Sequence, residues 1–146
     1  MMEPAAYEEL LRQNGVVITH VVGTSMLPLL RDRESIVIVE AIDRMPPRCG
    51  DVVLYKMGET YILHRVLRIK SDEYLIRGDN TWVKEHIPKD ALLATMTGFY
   101  RHPESKLVSR NNATYRLYVL VLPEIRLIRR VGSKIKRTIR KVSYGS

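Results

Sequence analysis

The chain has 146 residues, 45% of them apolar, with a formal net charge of +8. That length suits one domain with a real core, and the apolar share excludes a disordered chain. A single cysteine, Cys49, excludes an intrachain disulfide, and the longest apolar run, Leu117 to Leu122, is six residues long against the roughly 20 needed to span a bilayer.

Glu3 to Gln13 places Tyr7, Leu10 and Leu11 at helical spacing, and Asn14-Gly15 closes the segment. Its acids Glu3, Glu8 and Glu9 come before the first base, Arg12, the reverse of the charge order of a secretory leader. A strand over Val16 to Val22 leads into Gly23-Thr24-Ser25-Met26-Leu27-Pro28. Gly23 permits a sharp turn and Pro28 restricts the backbone, so Ser25 is delivered off a strand end on a tight loop. Taken alone, such a serine reads as a turn residue.

After a polar connection, Ser35 to Glu40 reads as a buried strand and Met45 to Asp51 as a cluster of turn residues. Val52 to Lys56 and Tyr61 to Lys70 form a hairpin about Gly58. Tyr74 to Arg77 is a short strand, Gly78-Asp79-Asn80 a tight turn, Ala91 to Tyr100 a long strand, and Lys106 to Arg110 a short last one. Six to eight short strands predict a mainly antiparallel β-domain over 15–110, folded as a barrel or sandwich. A short helix over 1–14 precedes it and a basic segment over 111–146 follows.

The charge is unevenly placed: residues 1–100 carry a net −2 and residues 101–146 a net +10. An anionic partner should therefore meet the tail. Tyr115 to Leu122 fits helix or strand, and Pro123-Glu124 reads as a helix start. Ile125, Ile128, Val131, Ile135, Ile139 and Val142 then recur every three or four residues. Arg126, Arg129, Arg130, Lys134, Lys136, Arg137, Arg140 and Lys141 fill most of the remainder. Such a helix either packs its apolar stripe on the β-domain or binds an anionic membrane surface. A nucleic-acid partner is disfavoured, because no aromatic stacking platform accompanies the basic residues. The expected location is cytoplasmic or peripheral at a membrane, with no transmembrane segment.

Nucleophilic serine catalysis needs a base for the hydroxyl proton, a group that orients the base, and donors for the developing oxyanion. Of the four histidines, His20 lies before the serine loop and His86 and His102 lie in polar connections. His64, among Ile62, Leu63, Val66 and Leu67, reads as half-buried and in need of a hydrogen-bond partner. Asp79 and Glu85 are the acids that follow, each of which taken singly is an ordinary turn or loop acid. No cofactor or metal is expected.

Four boxes in order carry a resemblance: Gly23-Thr24-Ser25-Met26-Leu27-Pro28, Gly50-Asp51-Val52-Val53, Leu63-His64-Arg65-Val66 and Arg77-Gly78-Asp79-Asn80. Together, over about Val16 to Gly98, they resemble type I signal peptidases and the wider group that includes the LexA-like self-cleaving proteases. The resemblance implies a β-rich fold and Ser25 as nucleophile. His64-Arg65-Val66 is similar to the archaeal, endoplasmic-reticulum and sporulation-type branch, which uses a histidine as base. That branch implies an assisting acid at Asp79, in the box itself, or at Glu85 a few residues on. Gly23 stands where many signal peptidases have a serine, so the oxyanion site in the Gly23–Ser25 loop would rest on backbone N–H groups, chiefly that of Ser25, with Thr24 nearby.

The implied activity is cleavage of a peptide or protein precursor through an acyl-enzyme. The substrate would dock as an added strand beside Val16 to Val22, against Val21, Val22 and Met26. The alternatives are a catalytically degenerate peptide- or membrane-binding module, and a self-cleaving LexA-like regulator. The regulator is disfavoured because that group uses a lysine base, and because the one cleavage-like dipeptide, Cys49-Gly50, follows Ser25.

Overall fold

The computed structural model describes residues 4–143, and the side chains of residues 7–134, 136 and 137. Of the residues named above, Glu3 and the side chains of Ile135, Ile139, Arg140, Lys141 and Val142 lie outside those described. The chain divides into two compact units, one ending at Asn112 and one beginning at Ala113.

The first unit opens with helix α1 (Pro4–Asn14) and continues with strands β1 (Val16–His20), β2 (Ile36–Ala41), β3 (Val52–Met57), β4 (Thr60–Ile69), β5 (Glu73–Arg77), β6 (Glu85–Pro88), β7 (Leu92–Tyr100) and β8 (Val108–Ser109). All pairings are antiparallel. The strands form one sheet in the order β1-β2-β7-β3-β4-β5-β6, with β8 beside β7. The mainly β class is as the strand pattern predicts, and the strands form one sheet that is not closed into a barrel. The outer strands β1 and β6 have only five and four residues, and no pairing among the described residues joins them. Register shifts at Ile38/Val39, Leu54/Tyr55 and Val66/Arg68 mark bulges, which bend and twist the strands that carry them.

Cross-strand partners share a face of the sheet. β3 pairs Val53 with His64 and Tyr55 with Ile62; β5 pairs Ile76 with Val66 on one side and with Glu85 on the other. One face therefore gathers Val53, Tyr55, His64, Val66, Ile76 and Glu85. The buried cluster of Val53, Tyr55, Val66, Tyr74, Ile76, Ile87 and Leu92 forms on it. Burying each such large side chain contributes about 1.5–3 kcal/mol. Arg65 and Arg77, paired with each other, point to the opposite face.

Element ends differ from the sequence reading by a residue or two, and two differences bear on the site. β1 stops at His20, two residues short, because Val21 leaves the ladder: its N–H donates to the Ser35 carbonyl (2.9 Å) and its own carbonyl accepts from the Arg33 N–H (2.7 Å). Glu85 and His86 lie on β6, not in a loop; their strand is only four residues long and mostly polar, so it lacks the apolar run by which strands are recognised.

The second unit is helix α2 (Ala113–Ser143), 31 residues long. Tyr115 to Leu122 is helical, and Pro123 lies inside the helix rather than at its start. A proline there removes the hydrogen bond that its own N–H would make to the Val119 carbonyl and crowds that carbonyl with its ring, and the flanking turns carry the helix through.

Candidate active site

Gly23, at a φ of 96°, turns the chain out of the sheet in a conformation costly for any residue with a Cβ. Its N–H donates to Asp32 Oδ1 at 2.7 Å. The next residues coil tightly, with the Leu27 N–H on the Thr24 carbonyl (3.2 Å) and the Leu30 N–H on the Met26 carbonyl (3.0 Å). The Leu27-Pro28 peptide is cis. Met26 and Leu30, 1% and 0% exposed, pin this loop to the interior. Ser25, just before Met26, is half-buried. Among the described residues neither the Ser25 hydroxyl nor the N–H groups of Ser25 and Met26 hydrogen-bond to another protein group.

His64 lies on β4, 8% exposed, and its Nδ1 is 2.9 Å from Glu85 Oε2. The Tyr55 hydroxyl lies 3.0 Å from the same Nδ1 and donates to the same Glu85 oxygen at 2.5 Å. An ionised carboxylate only accepts, and Tyr55 has already given its single proton to it, so the proton between the ring and these two oxygens belongs to Nδ1. The neutral imidazole then carries its lone pair on Nε2. Burial, and next the bond to Glu85 and its negative charge, push the Tyr55 hydroxyl far above the ordinary phenol range. Tyr55 thus stays a donor well above neutral pH.

The Nε2 side of the ring faces the loop after β5. A Cβ on Gly78 would lie 3.0 Å from His64 Nε2 and 2.7 Å from the Ser25 carbonyl oxygen. Only a bare Cα allows the imidazole and the serine loop to approach this point together. The Asn80 N–H donates to that same Ser25 carbonyl at 2.8 Å, and Asn80 Nδ2 to the Thr24 carbonyl at 3.1 Å. Residues 78–80 therefore clamp the serine loop beside the ring. Among the described residues no hydrogen bond joins Ser25 to His64.

Asp79 turns away from this group. Its two carboxylate oxygens take Arg65 Nε and Nη2, both at 2.7 Å, and Arg65 Nη1 donates to the Gly50 carbonyl at 2.6 Å. Both side chains are almost fully buried, at 2% exposure for each residue. Of the two acids named from the sequence, Glu85 meets His64 and Asp79 meets Arg65. The strand period explains the division. His64 and Arg65 are neighbours and point to opposite faces, and Asp79, two residues after Arg77, follows on the Arg65 side.

A cleft of about 440 Å³ runs from Ser25 along β1 to the tip of the β3–β4 hairpin. Val21, Val22, Met26, Leu54, Ile62 and Leu63 give it an apolar lining, and Tyr7, Thr19, His20, Glu59 and Tyr61 a more polar end. The Tyr7 hydroxyl is 2.7 Å from Thr19 Oγ1 and its ring packs on Tyr61 at 5.1 Å, which ties α1 to both walls. Among the described residues β1 pairs only with β2, and its outer backbone edge has no strand partner.

Of the other histidines, His20 is exposed on β1 and lines the same cleft as Ser25, His86 bonds Glu73 (2.8 Å), and His102 sits in a turn closed by Ser105. Cys49 is exposed. Among the described residues no cluster of three or more His, Cys, Asp or Glu side chains is placed to hold a metal ion, and no helix is long and apolar enough to cross a membrane. Tyr55 is the one member of the site that sequence reasoning passed over. A hairpin about Gly58 would have placed it one pair from His64 on the same face, but a strand tyrosine carries no chemical signal of its own. No protein-family model and no curated protein matches the sequence.

Proposed function

We propose that this chain is a serine endopeptidase of the signal-peptidase-like group, histidine-base branch, with Ser25 as nucleophile, His64 as general base and Glu85 as the acid that orients it. One observation carries the reading: His64 is held through Nδ1 by Glu85 at 2.9 Å while its Nε2 faces the point where Gly78 and the Ser25 loop meet. That is the division of labour that a nucleophilic serine requires of its base.

In this mechanism Nε2 takes the Ser25 proton as Oγ attacks a peptide carbonyl. The imidazolium is stabilised by Glu85, and it returns the proton to the leaving amine. Water, activated by the same nitrogen, then releases the acyl group. The N–H groups of Ser25 and Met26 are free to meet the oxyanion, with Thr24 nearby, whereas that of Gly23 is committed to Asp32. Loss of one such donor typically costs about 10²–10³ in rate. The substrate is an extended peptide or protein precursor laid along β1, its apolar side chains entering the cleft beside Val22 and Met26. Asp79 acts at one remove, through the Arg65 pair that holds residues 78–80 against the serine loop.

The test is a mixed peptide library incubated with the wild-type chain, Ser25→Ala and His64→Ala, with products read by mass spectrometry. The expected result is cleavage by the wild type alone, with each variant reduced at least about 10³-fold. Equal products from wild type and Ser25→Ala, or none from the wild type, would overturn the assignment. A Ser25-dependent loss of the chain's own mass would favour the self-cleaving regulator.

A further inference from the structure

Helix α2 sorts its side chains into two arcs. At 100° per residue, Leu117, Leu120, Val121, Leu127, Ile128 and Val131 fall within an arc of about 120°. All six are solvent-exposed; Leu120 is 75% and Ile128 71% exposed. The arc holds a single charge, Glu124. Arg116, Arg129, Arg130, Lys134, Lys136 and Arg137 lie on the other arc. From Ala113 to Ser143 there are nine Lys and Arg against one Glu.

We propose that α2 lies in the surface of an anionic lipid bilayer, with the Leu117–Val131 arc sunk among the acyl chains and the flanking cations on the phosphates. The inference is independent of the peptidase reading. Charge selects the occupant. A second copy of this helix would bring a strongly cationic surface against a strongly cationic surface, which disfavours a homodimer. A straight apolar arc bordered on both sides by long cationic side chains instead matches a flat interface. There the apolar groups sink and the guanidinium and ammonium heads reach back to the headgroups. Phosphatidylglycerol or another acidic lipid supplies the negative field.

The experiment is flotation of the full chain with vesicles of phosphatidylcholine alone, and of phosphatidylcholine with about one quarter phosphatidylglycerol. The chain should float only with the acidic vesicles, and the bound fraction should fall as salt rises from about 0.1 to about 0.5 M. Leu120→Glu with Ile128→Glu should weaken partition at least about tenfold, Lys134→Ser about fivefold, and Glu124→Gln should strengthen it. Leu120 and Ile128 are exposed, so folding should survive, and circular dichroism of each variant checks this. Ser25→Ala should float like the wild type, which keeps this test separate from that of the peptidase site. Absence of flotation, equal flotation on both vesicle types, or indifference to the Leu120→Glu and Ile128→Glu changes would overturn the proposal. So would a lipid-free dimer in sedimentation velocity that Ile128→Glu dissolves, since the arc would then be an interface between protein chains.

Discussion

Tyr55 shows how much a single hydroxyl can organise. It is 0% exposed in the apolar cluster, and its oxygen touches both His64 Nδ1 and Glu85 Oε2. By donating to the carboxylate it leaves the imidazole one role at that edge, that of donor, and so directs the Nε2 lone pair outward. On the proposed mechanism Tyr55→Phe should keep the fold and lower kcat/KM with little change in KM, because the tyrosine touches His64 and does not line the cleft. It should also alter stability at high pH. The folded Tyr55 holds its proton well above the ordinary phenol value of about 10 because of burial and Glu85, whereas the unfolded chain releases it near that value. This contribution is complete below about pH 10 and is lost as pH rises further, since proton release then favours the unfolded chain. Urea midpoints measured from about pH 8 to about pH 11 should fall more steeply for the wild type than for Tyr55→Phe; parallel curves would refute this reading.

Between elements, strand register decides which residues meet. His64 and Arg65 are adjacent on β4, yet one joins the Glu85–Tyr55 group and the other holds Asp79, because successive strand side chains point to opposite faces. The serine loop, the turn cluster near Gly50 and the box at residues 77–80 were legible in the sequence, since each is built from Gly, Pro and Asx residues whose backbone preferences are local. The choice between Asp79 and Glu85 was not, because it depends on β5 pairing with β4 on one side and with β6 on the other. β6 itself escaped notice for want of an apolar run.

The buried Arg65–Asp79 pair belongs to this scale too, since it fastens the loop after β5 to β4 and, through the Gly50 carbonyl, to the turn before β3. Removing one partner strands a buried charge, so Asp79→Asn should cost about 3–5 kcal/mol in chemical denaturation. Arg65→Met combined with Asp79→Leu should cost less than the sum of the single changes. Strict additivity would mean that the two side chains do not act as a pair.

Across the whole molecule, charge and topology are divided between the two units. The chain through Asn112 holds 15 Lys and Arg and 15 Asp and Glu, so the entire net charge of +8 belongs to the segment that forms α2. The sheet is tied together by distant pairings: β7 meets β2 at Val39↔Met96 and β3 at Val53↔Thr95. Such non-local closure is slow. Stopped-flow refolding of the β-unit, followed by the near-ultraviolet signal of its buried tyrosines, should fall in the range of milliseconds to seconds; a microsecond phase carrying the full amplitude would contradict it.

By itself the sequence determined the elements whose signals are local. The period of two in β4, the glycine turns, the serine loop and the basic helical repeat all depend on residues within a few positions of one another. Tertiary structure alone decided the open sheet, the partnership of His64 with Glu85 and Tyr55, and the pairing of Asp79 with Arg65. Each of these depends on which strand lies beside which. A chain read one residue at a time does not carry that information, because the faces of a strand or helix acquire their meaning only from their neighbours.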